Sequence, residues 1–277
     1  PHVELVVQKS SIRCFPDADY LNLGISMVED VSDCDVLLGV KEVPKSDLIA
    51  NKTYFYFSHT IKKQSYNREL LAKMIEKNIS MVDYETLTNA KGRRLIGFGR
   101  YAGVVGCYNG FLAYGNRTST FSLKPANQCE DRVELEQELN KVTLSNVKII
   151  LSGGGRVGMG ALEIIQKLGI REVSKEEFIS QSFSEAVYVS VDFSDYNERK
   201  DGTEFSSADF FINPKQYKSC FMKYASCADI FIAGHFYGTD SPYLFTREDA
   251  KSADFKIRTV ADISCDIDGP VASTIRP

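Results

Sequence analysis

The stretch Val147-Lys148-Ile149-Ile150-Leu151-Ser152-Gly153-Gly154-Gly155-Arg156-Val157-Gly158 decides the fold. An apolar run typical of a buried strand leads directly into Gly153, Gly155 and Gly158, which have the G-x-G-x-x-G spacing. Apolar residues then recur at helical spacing as far as Gly169. In this strand–turn–helix context, the spacing favours dinucleotide binding over a purely structural turn.

Each residue type in this motif has a physical role in holding a dinucleotide. The first glycine permits a tight turn, the second lets the backbone approach a pyrophosphate, and the third lets the helix pack closely on the strand. The N-terminus of the helix adds free N–H groups and the positive end of its dipole. The predicted cofactor-binding residues of the motif are Gly153, Gly155, Arg156, Val157 and Gly158.

The residue that would hold the adenosine ribose is harder to place. It is expected about 20 residues after the first glycine, which favours Glu172. Ser174 and Lys175 follow closely, and a Ser-Lys strand tip would suit a 2′-phosphate better than a bare hydroxyl. We therefore include Ser174 among the predicted cofactor-binding residues, and the choice between NAD and NADP stays open.

The rest of the chain alternates between strand-like and helix-like segments. Short apolar or aromatic runs at 36–40, 54–57 and 80–84 predict strands, and helical spacing at 65–77 predicts a helix between two of them. This alternation is typical of βαβ units. We predict an α/β protein of two Rossmann-like domains with mostly parallel sheets and a cleft between them.

A polar connection at 116–146 sets the predicted domain boundary. Residues 1–128 would form a substrate domain, and residues 129–277 would form an NAD(P)-binding Rossmann domain. The abrupt start suggests that the first domain is incomplete at its N-terminus. The loop-like end suggests that a C-terminal return to the first domain is missing.

Three predicted strands of the first half end in residues suited to acid–base chemistry. Lys41 and Glu42 follow the first, His59 the second and Glu85 the third. Ligands of open α/β sheets bind outside the carboxyl ends of the strands, so these side chains are expected to converge. Each one alone fits a solvated or structural role equally well.

Basic residues next to these strand ends could bind carboxylates. Arg93 and Arg94 precede a glycine-rich segment that is predicted to open a helix. Guanidinium groups bind carboxylates bidentately, although a solvated basic turn has the same composition.

Composition excludes several classes of protein. The 33 Lys and Arg are interleaved with 37 Asp and Glu, for a net charge of −4, which argues against nucleic-acid binding. We see no membrane span and no secretory leader. The seven cysteines are odd in number and lack a CxxC pair, and the three histidines lack metal-ligand spacing. We therefore expect a reducing compartment, the cytoplasm by default, and no metal.

Several segments together resemble the lysine-forming saccharopine dehydrogenases, within the wider alanine dehydrogenase and transhydrogenase group. They are residues 39–44, 57–59, 83–85, 92–103, 147–158 and 260–266. Residues 213–217 and 243–250 look more like the lysine-ketoglutarate reductase arm of the bifunctional lysine-degrading enzyme. The resemblance implies NADP for that arm and NAD for the single-function fungal type.

The resemblance implies roles for individual residues. Lys41 and His59 would be the catalytic acid–base pair, with Glu42 and Glu85 tuning their charge. The remaining implied residues line the substrate or cofactor sites. Lys62, Arg93 and Arg94 would meet substrate carboxylates, Phe98 would pack by the substrate, and Asp266 would lie near the nicotinamide ribose.

The implied activity is the interconversion of saccharopine with lysine and 2-oxoglutarate by hydride transfer to or from a nicotinamide cofactor. The partners would be this small amino-acid substrate and the cofactor, and formation of a homo-oligomer is left open. Two alternatives remain: alanine dehydrogenase or a related amino-acid dehydrogenase, and a non-catalytic dinucleotide-binding sensor.

Overall fold

The computed structural model describes residues 3–63, 65–235, 238, 240–264 and 269–275, and for Lys62 and Tyr66 it describes the backbone only. The chain divides into two compact units, Pro1–Gly97 and Phe98–Pro277. Each unit contains parallel strands connected through helices. The predicted α/β class with mostly parallel sheets is confirmed.

The first unit contains two small parallel sheets. Strands β1 and β2 form one sheet, and β3, β4 and β5 form the other in that order. The elements in chain order are β1 (Val6–Gln8), α1 (Asp17–Asn22), β2 (Ser26–Val28), β3 (Val36–Lys41), β4 (Thr53–Phe57), α2 (Arg68–Glu76) and β5 (Ser80–Asp83).

A small core holds the three-stranded sheet against α2. Tyr54 and Tyr56 of β4 pack with Leu70 and Met74 of α2. The predicted strands agree with the observed ones to within a residue at each end. The predicted helix at 65–77 becomes a 3₁₀ turn, Ser65–Asn67, followed by α2.

The second unit is built on a five-stranded parallel sheet. Its elements up to the third strand of that sheet are α3 (Gly99–Thr118), α4 (Arg132–Glu138), β6 (Lys148–Ser152), α5 (Arg156–Lys167), β7 (Arg171–Glu172), α6 (Lys175–Ser180) and β8 (Val187–Val191). The rest are α7 (Phe193–Tyr196), β9 (Asn197–Arg199), α8 (Ser207–Ile212), β10 (Tyr217–Ser219), α9 (Met222–Ala225), β11 (Ile230–Ala233) and β12 (Thr259–Asp262).

The strand order in this sheet is β12-β11-β6-β8-β7. The central strand β6 is buried on both faces, as its unbroken apolar sequence predicts. Ile149 and Leu151 pack into one hydrophobic core, whereas Ile150 packs into a second core on the other face. In chain order, the outer strand β7 and helix α6 come before β8, the strand that lies next to β6.

The two compact units divide at 97/98, whereas the sequence placed a domain boundary at 128/129. The difference comes from α3, which packs directly on α5. A Cβ on Gly103 would lie 1.9 Å from the Val157 backbone oxygen, and one on Gly160 would lie 1.9 Å from the Arg100 oxygen. Such close packing ties the first helix after Gly97 to the second unit. The segment read as a linker also contributes Leu123, among others, to the same core.

No helix in the described ranges is long and apolar enough to cross a membrane. Six cysteines lie in the described part of the chain, and all six are free thiols. Burial raises the pKa of the Cys107 thiol well above its ordinary value.

Candidate active site

The carboxyl ends of β3, β4 and β5 bring three predicted side chains together. Lys41 is the last residue of β3, and His59 and Glu85 lie two residues beyond the ends of β4 and β5. The Nζ of Lys41 is 3.2 Å from Nε2 of His59. The Nδ1 of His59 is 3.0 Å from Oε2 of Glu85. Neighbouring parallel strands end at one edge of the sheet, so the alignment of these strands produces the contact.

The contacts constrain where protons reside. With Glu85 ionised, its carboxylate only accepts hydrogen bonds, so Nδ1 of His59 carries a proton and donates a hydrogen bond to Oε2 of Glu85. Nε2 of His59 can then accept from a Lys41 ammonium, or donate to a Lys41 amine once the imidazole is charged. One proton can therefore move between Nζ of Lys41 and Nε2 of His59 while the proton on Nδ1 stays in place. The arrangement is suited to acid–base chemistry.

Glu85 is the buried member of this group. Its side chain is 2 % exposed, against 24 % for His59. A buried carboxylate costs free energy unless charged or hydrogen-bonding groups surround it. Besides His59, an Nη2 of Arg94 lies 3.4 Å from Oε1 of Glu85. Arg94 therefore contacts the carboxylate of the group formed by Lys41, His59 and Glu85.

The carboxylate of Asp83 connects the two loops that carry His59 and Glu85. Ser58 is fully buried, and its hydroxyl donates to Oδ2 of Asp83 at 2.5 Å. The other oxygen, Oδ1, accepts the backbone N–H of Glu85 at 2.8 Å. Asp83 itself is buried, so both contacts are shielded from water. The loop after β4 and the loop after β5 are therefore held in a fixed relation.

The backbone of His59 adopts an unusual conformation. Its φ is 56°, in the left-handed region that non-glycine residues seldom occupy. Asn67 holds the turn, because its side-chain amide donates to the His59 carbonyl at 3.3 Å. Thr60 holds it from the other side through its N–H to the Ser58 hydroxyl. Local strain of this kind persists only where surrounding contacts fix it, and it is frequent at functional sites.

The other residues predicted for this half are placed as follows. Glu42 follows β3 and is exposed. Burial of Tyr56 raises its pKa to about 12, and the charge of Glu42 acts in the same direction. Arg93 is exposed, and its backbone N–H donates to Asn89. The structure does not describe the side chain of Lys62. Phe98 belongs to the second compact unit, where it precedes α3.

The glycine-rich turn of the second unit has the close backbone contacts that its sequence predicts. Gly153 has a φ of +95°, and a Cβ there would lie 2.6 Å from the Gly234 carbonyl oxygen. A Cβ on Gly158 would lie 1.7 Å from the Gly153 oxygen, so helix and turn touch. Gly155 caps the N-terminus of α5, and a Cβ there would meet nothing within 4 Å.

A cavity of about 1030 Å³ opens at this turn. Its walls include residues 153–157, Asp192 at the end of β8, and Gly234 and His235 at the end of β11. The open space at Gly155 and the N-terminus of the 12-residue helix α5 fit a pyrophosphate. The residues present therefore suit a dinucleotide.

Two residues considered for the adenosine ribose, Ser174 and Glu172, do not lie on the described cavity wall. Ser174 caps α6 through a reciprocal contact with Glu177, on the far side of β8 from β6. Glu172 lies on the outer strand β7, where it accepts a hydrogen bond from Tyr188. Asp266 lies outside the described residues.

Sequence reasoning missed His235. Its Nδ1 is 2.7 Å from the hydroxyl of fully buried Ser152, and its Nε2 is buried with no hydrogen-bond partner in the described part of the chain. Burial lowers the pKa of His235 to about 4. The apolar run Ile230–Ala233 ending in Gly234 was the available signal, because it marks another strand that ends at the glycine turn.

Replacing Asp83 tests the connection between the two loops. In Asp83→Ala, the Ser58 hydroxyl and the Glu85 N–H lose their acceptor, at about 1–3 kcal/mol for each buried group left unpaired. Asp83→Asn keeps a carbonyl oxygen as an acceptor and should lose less stability. The free energy of unfolding in urea measures both. The exposed Asp47→Ala is the control, and losses equal to that control would contradict the assignment.

The desolvated imidazole of His235 predicts a pH-dependent stability. Its pKa is about 4 when folded and about 6.5 when unfolded, so the unfolded state binds the extra proton between these values. The free energy of unfolding is therefore unaffected by His235 above pH 6.5 and decreases as the pH falls towards 4. At pH 5 the loss should be about 2 kcal/mol.

His235→Phe keeps the ring and removes the titration, so its unfolding free energy should change less between pH 7 and pH 5 than that of the parent. Ser152→Ala is the control, since it removes the same hydrogen bond but keeps the histidine. An unchanged pH dependence in His235→Phe would refute the assignment.

Comparison with known proteins gives a consistent relationship. Residues 2–105 match a family described as "Alanine dehydrogenase/PNT, N-terminal domain". The mouse protein named alpha-aminoadipic semialdehyde synthase, mitochondrial, is 28 % identical over 90 % of this chain. A Yarrowia lipolytica protein named saccharopine dehydrogenase [NAD(+), L-lysine-forming] is 26 % identical over 76 % of this chain and 58 % of its own length.

A solved structure titled L-alanine dehydrogenase has a similar fold. It superposes with a TM-score of 0.54 over 94 % of this chain and 64 % of its own, at 16 % identity. The chain spans 29 % of the length of the mouse relative. These comparisons confirm the resemblance of this chain to the saccharopine dehydrogenases, within a group that also contains alanine dehydrogenase.

Proposed function

We propose that this chain carries the catalytic parts of an oxidoreductase that interconverts saccharopine with lysine and 2-oxoglutarate, using a nicotinamide dinucleotide. The observation that carries the proposal is the hydrogen-bonded series Lys41–His59–Glu85 at the ends of three parallel strands. The names of the relatives supply the substrate class, because one is a saccharopine dehydrogenase.

The reaction needs one hydride transfer and several proton transfers. Bound at the glycine turn, the cofactor supplies hydride chemistry. In the oxidative direction, a hydride leaves the glutarate carbon that bears the secondary amine, and the amine proton passes to a base. Water then adds across the resulting carbon–nitrogen double bond. The C–N bond breaks, the nitrogen leaves as the ε-amine of lysine, and the carbon becomes the ketone of 2-oxoglutarate.

The Lys41–His59 pair is our candidate for the proton transfers. The pair can accept the amine proton, because a proton is exchangeable between Nζ of Lys41 and Nε2 of His59. It can return a proton to the leaving amine during hydrolysis. Glu85 holds Nδ1 of His59 protonated throughout, which orients the ring and balances the positive charge of the pair.

Cationic side chains would suit the three carboxylates of saccharopine. We assign this role to Lys62, Arg93 and Arg94, in line with the resemblance. Arg94 has a second effect in this assignment, since it already lies beside the Glu85 carboxylate. A substrate carboxylate near Arg94 would therefore act on the same charged group that holds His59. A non-catalytic sensor would have no need for this proton-transfer group.

Lys41→Met and His59→Gln test the acid–base assignment. Each should lower kcat for saccharopine oxidation by about 10²–10⁴-fold, the usual contribution of general acid–base catalysis. The dissociation constant of the dinucleotide should not change, because the glycine turn is untouched. Stopped-flow kinetics and nucleotide titration measure the two quantities.

Lys45→Met is the matched control, because Lys45 is a lysine of the same unit that pairs with Glu69 on the surface. It should keep the parent kcat. Retention of most of the parent kcat in both Lys41→Met and His59→Gln would refute the assignment.

A further inference from the structure

We propose that a second cavity, at the amino ends of the strands of the five-stranded sheet, binds a small dicarboxylate. The cavity has a volume of about 890 Å³. Its wall brings the positively charged side chains of Arg117, Lys256 and Arg258 together with one carboxylate, that of Asp229, among the residues that the structure describes. The inference goes beyond the proposed function, because it needs neither the dinucleotide nor the proton-transfer group.

This cavity lies at the end of the sheet opposite the glycine turn. Ala228 and Asp229 on its wall immediately precede β11, and Arg258 immediately precedes β12. Strands β11 and β12 run parallel to β6, whose carboxyl end carries the glycine turn. A ligand bound here would therefore occupy a site separate from the dinucleotide cavity.

Backbone hydrogen bonds fix the segments that carry the charges. The N–H of Lys256 donates to the Ala225 carbonyl at 2.9 Å, and the N–H of Arg258 donates to the Asp229 carbonyl at 2.8 Å. Through Oδ2, the Asp229 carboxylate accepts the backbone N–H of Lys148 at 3.0 Å. The wall is thus held in place before a ligand binds, and such preorganisation lowers the free-energy cost of binding.

The two guanidinium groups of this cavity lack the close carboxylate partners that other arginines of the unit have. Arg100 and Arg171, for comparison, contact glutamates at 2.6 and 2.7 Å. Nε of Arg258 is 3.9 Å from Oδ1 of Asp229, which is too far for a hydrogen bond. Arg117 has no hydrogen bond or ion pair within the part of the chain that the structure describes. Both guanidinium groups therefore keep donors available for an anion.

Lys256 adds a third positive charge to the wall. Its Nζ donates to the Ala253 carbonyl at 2.7 Å, and an ammonium has two further protons to donate. Positive charges that line one concave surface repel one another and raise the local concentration of anions. Three cations face one carboxylate, an excess of two positive charges that a dianion would balance.

The uncharged part of the wall favours a dianion with a hydrocarbon segment. Phe255 and Val260 are half-buried and line the cavity beside the charges. Guanidinium groups bind carboxylates through two parallel hydrogen bonds. A ligand with a carboxylate at each end and methylene groups between would pair with Arg117 and Arg258 and cover the apolar side chains. Inorganic phosphate offers the charge but no apolar surface.

The test is titration calorimetry of the whole chain with glutarate at constant ionic strength. Glutarate should bind, and its affinity should fall at least about tenfold in Arg117→Gln and in Arg258→Gln, the usual effect of losing hydrogen bonds to a charged group. Arg171→Gln is the matched control, because Arg171 is an arginine of the same unit that pairs with Glu185 on the surface. It should keep the parent affinity. Both arginines of the cavity are exposed, so each variant should unfold at the parent urea concentration.

The other outcomes each overturn the proposal. Loss of glutarate binding in Arg94→Gln but not in Arg117→Gln would place glutarate with the proposed substrate residues instead. Absence of glutarate binding, or tighter binding of inorganic phosphate than of glutarate, would exclude a dicarboxylate site. Equal binding of uncharged 1,5-pentanediol would exclude recognition by the cations. None of these outcomes involves hydride transfer, so the proposed function stands or fails separately.

Discussion

The Asp83 carboxylate holds the loop after β4 to the loop after β5, and the geometry of the proton-transfer group depends on this one bridge. Ser58 on one side immediately precedes His59, and the Glu85 N–H on the other belongs to the residue that holds the His59 ring. Because Asp83 is buried, neither hydrogen bond competes with water. Asn67 and Thr60 hold the left-handed turn at His59, and the Asp83 bridge holds that turn next to the loop of Glu85, whose carboxylate lies 3.0 Å from the His59 ring.

Both units use the ends of parallel strands, but in different ways. In the first unit, side chains at the strand ends contact one another, in an arrangement that allows a proton to move between Lys41 and His59. In the second, side chains are absent at Gly153, Gly155 and Gly158, so that backbone and the N-terminus of α5 are exposed to a ligand. The first unit thus carries the proposed acid–base group, and the second carries the proposed dinucleotide site. The proposed reaction needs both the acid–base group and the dinucleotide site.

The strands of the first unit and the side chains at their ends could be predicted from the sequence, because strand periodicity and strand ends are local signals. Lys41, His59 and Glu85 were predicted to converge, and the structure brings them into contact. The residues next to the glycine turn depend instead on strand order. The outer strand β7 comes before its inner neighbour β8 in the chain, so counting from Gly153 leads to Glu172 on β7, although β8 is the strand that pairs with β6. The unit boundary also depends on a non-local contact, the close packing of α3 on α5.

The measurement that tests the central claim most directly is the loss of the near-ultraviolet absorbance of reduced nicotinamide, with the purified protein, lysine and 2-oxoglutarate. We expect the reduced nicotinamide to be consumed only when both lysine and 2-oxoglutarate are present. Consumption with pyruvate and ammonia instead would assign the chain to alanine dehydrogenase chemistry. No consumption with any substrate, although ADP-ribose binds, would contradict catalysis and leave a sensor of dinucleotides.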